Sequence, residues 1–154
     1  MAKDKKKRPL NILFVCVGNS CRSQMAEALA KHLGQGHVKA WSAGSSPLGR
    51  IVPETFEVLA EKGIAIKGQS SKHLSDVPVG EMDVVVGMGC EVVCPVPVGF
   101  KGRVIEWNIP DPYGRGLESF RSVRDLIERQ VTALITDLTS GEAESGDARQ
   151  EAKA

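Results

Sequence analysis

The sequence contains no long hydrophobic run: none approaches the roughly 18 residues that a membrane-spanning helix needs. Its net charge is only +1 at pH 7, which argues against a dominant attraction to nucleic acid or to an anionic membrane. The first apolar stretch is short and contains Asn11, so it predicts a strand rather than a secretory signal. We therefore expect a cytoplasmic protein without nucleic-acid or membrane partners.

Both ends of the chain lack apolar periodicity. Residues 1–8 are strongly basic, residues 141–154 are mostly polar, and neither segment has the side chains needed to build a packed core. We predict a disordered basic arm over residues 1–8, a single catalytic domain over residues 9–140 and a disordered tail over residues 141–154. We also expect a monomer.

Between these ends, short apolar runs alternate with helical patterns. The runs predict strands at residues 10–17, 37–44, 82–88 and 102–109. Helical spacing predicts three helices. The first follows the first strand and ends at Gly34, and the second begins at Pro53 with Phe56 and Leu59 inward. The last helix carries apolar residues from Phe120 to Leu138 and ends near Gly141. Residues 70–77 predict a short helix. This order predicts a three-layer α/β/α sandwich with a central four-stranded parallel sheet.

Four cysteines occur in the chain, two around the first strand end and two after the third strand. In an intracellular protein, such cysteines indicate reactive or metal-binding thiols rather than a disulfide framework. Cys90 and Cys94 have no second cysteine pair at metal-ligand spacing, so we expect no metal site. Ligands bind beyond the carboxyl ends of parallel strands, and that edge is where Cys16 and Cys90 are expected.

The segment "CVGNSCRS" places Cys16 and Arg22 at the two ends of a loop that follows a strand and opens a helix. Backbone N–H groups and the helix dipole of such a loop attract an oxyanion, and the guanidinium matches two of its oxygens. We expect Gly18 to supply unusual dihedrals, Asn19 to hold the loop, and Ser23 to donate to a Cys16 thiolate. The candidate oxyanion-binding residues are Val17, Gly18, Asn19, Ser20, Cys21 and Arg22.

This loop resembles the signature loop of the low-molecular-weight protein tyrosine phosphatases and of the arsenate reductases that share their fold. The resemblance continues through "SAG" at residues 42–44 and "DP" at Asp111 and Pro112. It implies a low-molecular-weight phosphotyrosine phosphatase-like fold, with Cys16 as nucleophile, Arg22 and Ser23 as supporting catalytic residues and Asp111 as general acid.

The two activities make different demands on the cleft mouth and on the other cysteines. Leu48 stands where the phosphatases usually have an aromatic residue, Tyr113 is followed by glycine, and the chain has only seven aromatic residues. The segment around Cys90 and Cys94 resembles the resolving-cysteine segment of thioredoxin-coupled arsenate reductases. The resemblance therefore favours an arsenate reductase, with the phosphatase as alternative and a non-enzymatic thiol sensor as a third interpretation.

In the implied mechanism, a disulfide first forms between Cys16 and Cys90. Cys94 then attacks Cys90, which leaves a disulfide between Cys90 and Cys94. Arsenate or phosphate is the expected oxyanion. No tightly bound cofactor is expected, and thioredoxin is the expected external thiol reductant. The short spacing of the last two cysteines leaves a glutaredoxin- or mycothiol-type donor open. Cys21 is left with two interpretations, a protective disulfide with Cys16 or local packing.

Overall fold

A computed structural model describes residues 8–89 and 96–140. Cys90, Cys94, residues 1–7 and the predicted tail lie outside the described residues. The strands are β1 (Leu10–Cys16), β2 (Val38–Gly44), β3 (Val84–Met88) and β4 (Arg103–Trp107), and the helices are α1 (Arg22–Leu33), α2 (Pro53–Ala60) and α3 (Leu117–Ser140). Within the described ranges, no helix has both the length and the apolar character needed to cross a bilayer.

The four strands form one parallel sheet in the order β2-β1-β3-β4. Cys16 at the end of β1 pairs with Gly44 at the end of β2, and Met88 at the end of β3 pairs with Trp107 at the end of β4. The carboxyl ends therefore share one edge, as the sequence predicted. β4 is an edge strand, which agrees with its alternating pattern.

Side chains of the sheet alternate between two apolar clusters. The larger cluster joins Ile12 and Phe14 of β1 to buried residues of all three α-helices. Leu13 and Val15 point the other way and pack against a smaller cluster that includes Leu74. On that second face the described residues form two short 3-10 turns, Leu74–Asp76 and Val79–Glu81. The four-stranded parallel sheet with packed helices confirms the predicted fold class.

The predicted inward face of α2 is wrong at one position. Leu59 is fully buried, but Phe56 is 44% exposed. The buried face is formed by Thr55, Val58 and Leu59 instead. Thr55 turns inward because its hydroxyl donates to the backbone oxygen of Ser20 over 2.9 Å, which fixes the rotation of the helix about its axis.

The short helix predicted over residues 70–77 is a single 3-10 turn, Leu74–Asp76. The side chain of His73 caps this turn by accepting from the backbone N–H of Ser75 over 2.9 Å. The backbone N–H of Gly44 donates to the oxygen of Lys72, so this segment is attached to the end of β2.

Truncation of the two large apolar residues of α2 should separate their contributions to stability. Leu59→Ala should lower the free energy of unfolding by about 2–5 kcal/mol, because it leaves a cavity in the core. Phe56→Ala should cost less than about 1 kcal/mol, because nearly half of the ring already contacts water. Urea unfolding at one protein concentration measures both values, and similar losses would contradict the observed helix rotation.

Candidate active site

A cavity of about 180 Å³ opens at the carboxyl edge of the sheet. Its floor is the segment that joins β1 to α1, which we call the anion loop and define as residues 17–22. Cys16 lies at the start of this loop, and Ser46, Leu48, Asp111 and Tyr113 line the rest of the cavity. Three separate stretches of the chain therefore meet here, as expected from the shared strand ends.

The sulfur of Cys16 lies at the bottom of the cavity with 2% of the residue exposed. Its Sγ is 2.9 Å from the Oγ of Ser23, in the first turn of α1. The N-terminus of this 12-residue helix begins at Arg22, so its dipole places positive potential next to the sulfur. The helix terminus and the Ser23 hydroxyl therefore both lie next to this sulfur.

The carbonyl oxygens of the anion loop are bonded to the surrounding structure. The oxygen of Val17 accepts from Ser46 N over 2.9 Å, and that of Gly18 accepts from Leu48 N over 2.8 Å. The oxygen of Ser20 accepts from Thr55 Oγ1 over 2.9 Å. Because the C=O and the following N–H of a trans peptide point in opposite directions, the next amides point away from these partners. Successive amides that point to one side of a loop form a candidate anion site.

The unusual backbone conformation expected at Gly18 occurs at Asn19. Asn19 has φ of 48°, and among the described non-glycine residues it alone has a positive φ. Its side chain compensates for this, because Oδ1 accepts from the backbone N–H of Lys72 over 2.8 Å. The expectation for Gly18 is therefore wrong, whereas the expectation that Asn19 holds the loop is confirmed.

A tight approach at the end of β2 explains the glycine of the "SAG" segment. A Cβ atom on Gly44 would lie 2.5 Å from the oxygen of Val17 and 3.0 Å from the Cβ of Asn19. The anion loop passes directly over this strand end, so only glycine fits here.

Buried polar residues surround Asn19, and Ser23 is the one among them for which the sequence predicted a role. Its Nδ2 donates to Ser23 Oγ over 2.8 Å and to Ser42 Oγ over 3.0 Å, and Gln24 Nε2 donates to its Oδ1 over 3.0 Å. Ser42 in turn donates to a carboxylate oxygen of Glu27 over 2.6 Å. The only sequence signal for this network is that polar residues occupy helix and strand positions otherwise expected to be apolar.

Arg22 is buried with only part of its hydrogen-bonding capacity used. Its Nη1 donates to the backbone oxygens of Met88 over 2.6 Å and Ile109 over 3.1 Å. Its Nε is fully buried and, among the described side chains, has no partner. A buried donor is rarely left unpaired. The free edge of this guanidinium therefore matches an anion bound in the cavity.

Asp111 lies at the mouth of the cavity and is more exposed than Arg22. Its Oδ2 is 3.7 Å from Arg22 Nη2, and its Oδ1 accepts from the backbone N–H of Tyr113 over 3.1 Å. This turn keeps the carboxyl group directed at the anion site. Leu48 and Tyr113 are 44% and 51% exposed, so the walls of the mouth are shallow.

Cys21 is buried and, like Cys16, is a free thiol in this structure. Burial raises the pKa of the Cys21 thiol to about 11, although its contact with Ser20 opposes part of the shift. A thiol held in its protonated form is a poor nucleophile. Of the two interpretations of Cys21, this environment favours packing.

The structure thus brings together Cys16, the anion loop, Ser23 and Asp111. The chain belongs to the low molecular weight phosphotyrosine protein phosphatase family, which its residues 11–144 match. This family assignment agrees with the resemblance of the anion loop and with the observed fold.

Individual relatives within this family are arsenate reductases. A glutaredoxin arsenate reductase of Synechocystis sp. is 38% identical over 130 residues, covering 83% of this chain and 98% of that protein. An arsenate reductase of Staphylococcus aureus (strain Newman) is 35% identical over 120 residues, covering 76% and 89%. Among solved structures, an arsenate reductase in the phosphate binding state has a TM-score of 0.75 at 38% identity, covering 83% and 98%.

A thioredoxin-dependent arsenate reductase of Corynebacterium glutamicum is also similar in structure. Its TM-score is 0.74 at 30% identity, and the match covers 92% of this chain and 68% of that chain. The relatives therefore include proteins named for two different reductants.

Gly89→Ala should weaken anion binding through Arg22. The new Cβ would lie 2.8 Å from Arg22 Nη1 and 2.7 Å from the oxygen of Ile109, so the guanidinium would have to move. Since a charge-assisted bidentate contact would be lost, phosphate affinity measured by calorimetry should fall roughly tenfold or more.

Gly63→Ala is the matched control for this substitution. Gly63 and Gly89 both have positive φ, but a Cβ on Gly63 would meet nothing within 4 Å. The control should lose stability through backbone strain and keep its phosphate affinity. Equal loss of affinity in both variants would show that strain alone, and not displacement of Arg22, is responsible.

The Cys21 thiol should make stability depend on pH in alkaline solution. Its pKa rises from about 8.5 in the unfolded chain to about 11 in the folded protein. The unfolded state therefore loses this proton first, and the free energy of unfolding should fall as the pH rises through this window. Urea unfolding of wild type and Cys21→Ala between these pH values should give a steeper decline in wild type, and parallel declines would contradict the shift.

Proposed function

We propose that this protein reduces arsenate to arsenite by a sequence of thiol–disulfide steps that begins at Cys16. The anion loop and the free edge of Arg22 match a tetrahedral oxyanion, and the Cys16 sulfur lies directly below it. Arsenate and phosphate have nearly the same shape and charge, so both fit this site. The relatives named arsenate reductases over most of the chain support the same activity.

In the first step, the Cys16 thiolate attacks arsenic and an oxygen leaves. Asp111 gives that oxygen a proton, so that it departs as water rather than as hydroxide. Arg22 and the loop amides hold the remaining oxygens and stabilise their negative charge. The product is a covalent bond between the Cys16 sulfur and arsenic(V).

In the second step, the Cys90 thiolate attacks the Cys16 sulfur. The bond between sulfur and arsenic breaks, its electron pair stays on arsenic, and arsenite leaves as arsenic(III). The two thiols are oxidised to a disulfide and so supply both electrons. Cys94 then attacks Cys90, which restores the Cys16 thiolate and leaves a disulfide between Cys90 and Cys94. An external dithiol reduces it.

The observation that carries this proposal is the position of Gly89. A Cβ on this residue would be 2.8 Å from Arg22 Nη1, so the backbone passes against the guanidinium of Arg22 here. Cys90 is the next residue in the sequence. Hydrolysis of a phosphate ester has no need for a second thiol at this point, whereas reduction does.

Thioredoxin is the reductant we propose, in a reducing compartment such as the cytoplasm. The similarity to the thioredoxin-dependent enzyme of C. glutamicum supports this choice. The similarity to the glutaredoxin enzyme of Synechocystis makes a glutaredoxin system the second choice. Only three residues separate Cys90 from Cys94, and this short spacing is compatible with a disulfide between them.

A coupled assay tests the proposal. The full chain is incubated with arsenate and with the thioredoxin, glutaredoxin or mycothiol system, and both arsenite and oxidised reductant are measured. We expect arsenite with at least one system and none with Cys16→Ser. Cys90→Ser should abolish turnover but retain weak hydrolysis of p-nitrophenyl phosphate, since only reduction requires the second thiol.

Two outcomes would contradict the proposal. Efficient hydrolysis of aryl phosphates without arsenite formation in any system would identify a phosphatase. Equal loss of both activities in Cys90→Ser would show that this cysteine supports the site in general and does not resolve an arsenic adduct.

A further inference from the structure

We propose that Gln24 is a positioning residue for Cys16. Together with the backbone N–H of Lys72, its side-chain amide holds the direction of the Asn19 side chain, and Asn19 in turn makes Ser23 a hydrogen-bond donor to the Cys16 sulfur. Gln69 holds Gln24 in the orientation that this requires. The inference rests on the proposed role of Cys16 as the nucleophile.

The orientation of Asn19 follows from its neighbours. A backbone N–H can only donate, and that of Lys72 lies 2.8 Å from Asn19 Oδ1, so the oxygen of this amide must face Lys72. Gln24 Nε2 donates to the same oxygen over 3.0 Å. The NH₂ group of Asn19 consequently faces the opposite side, toward Ser23 and Ser42.

The orientation of Gln24 is fixed in the same way. Its Nε2 is surrounded by three acceptors, namely the backbone oxygen of Asn19 at 3.1 Å, Asn19 Oδ1 at 3.0 Å and the backbone oxygen of Ser70 at 3.0 Å. Only the nitrogen end of the amide suits this position. Its oxygen accepts from Gln69 Nε2 over 2.8 Å. Gln24 is fully buried, so water does not compete for these bonds.

This orientation determines what Ser23 can do. Because Asn19 Nδ2 donates to Ser23 Oγ over 2.8 Å, the serine oxygen is an acceptor there. Its own proton is therefore free for Cys16 Sγ at 2.9 Å. A donor at this distance stabilises the thiolate more than the thiol. The side chains of Gln69, Gln24, Asn19 and Ser23 thus all donate in the same direction, toward the sulfur.

A branch of the network accepts the second N–H of the Asn19 NH₂ group. Ser42 Oγ accepts it over 3.0 Å and donates its own proton to Glu27 over 2.6 Å. Glu27 can only accept when ionised, and Lys31 Nζ lies 2.8 Å from its other oxygen. The direction of donation in this branch is therefore consistent with the orientation of the Asn19 amide that the path to the Cys16 sulfur requires.

Replacement of Gln24 by methionine tests the inference, because it removes the amide and nearly keeps the length of the side chain. The rate of alkylation of Cys16 by iodoacetamide is measured against pH in buffer without phosphate, and Cys16 is quantified by mass spectrometry. The midpoint of the profile should move to higher pH, and reactivity below the midpoint should fall about threefold to tenfold. The plateau at high pH should not change.

Gln69→Met provides a second variant at a half-buried loop position, where folding is less at risk. It should move the midpoint in the same direction and by less. Because Gln69 acts through Gln24, the double variant should match Gln24→Met alone, and this non-additivity measures the coupling. Gln35→Met is the matched control, because Gln35 is exposed on the groove that Gln69 also lines and has no part in the network.

An unchanged midpoint in folded Gln24→Met, or strictly additive shifts in the double variant, would overturn the inference. A loss of unfolding stability or of plateau reactivity without a shift of the midpoint would show a purely structural role and would overturn it as well. The assay contains no arsenate. Failure of the proposed reduction would therefore appear in wild-type turnover, independently of these alkylation profiles.

Discussion

The side chain of Asn19 makes the hydrogen bonds on which the site depends. The residue is fully buried at a positive φ, a conformation that costs an asparagine some strain. Its amide offsets that strain by joining the first turn of α1, the end of β2 and the segment at Lys72. Loss of these bonds would leave the backbone conformation of the anion loop without this support.

The position of this loop follows from the sheet rather than from the loop itself. Parallel pairing aligns the ends of β1 and β2, and the missing Cβ of Gly44 lets the loop pass over the second strand. The guanidinium of Arg22 is then held by two backbone oxygens. One belongs to Met88, the last residue of β3, and the other to Ile109, just after β4. Main-chain groups are less sensitive to substitution than side chains. The cation is thus fixed by the architecture of the fold.

The sequence was sufficient for the order of elements, because strand and helix periodicity carry that information. The "CVGNSCRS" loop and the "DP" segment, through their resemblance to a known family, were sufficient to select Cys16, Arg22, Ser23 and Asp111 as residues that lie together. The sequence was insufficient for the exposure of Phe56, because the rotation of α2 about its axis depends on a hydrogen bond between Thr55 and the distant Ser20. It also assigned the unusual dihedral to Gly18 by residue type, although side-chain bonds place it at Asn19. Gln24 was not identified, because its role depends on partners that are distant in sequence, such as Gln69.

The burial of Cys16 has a consequence for the selectivity of the protein toward oxidised thiols in its surroundings. With only 2% of this residue accessible, a compact anion can reach the sulfur through the cavity. A bulky disulfide such as oxidised glutathione cannot bring its own sulfur atoms into line with it, because exchange requires direct approach along the bond that breaks. Steric screening therefore limits adventitious mixed-disulfide formation at this sulfur.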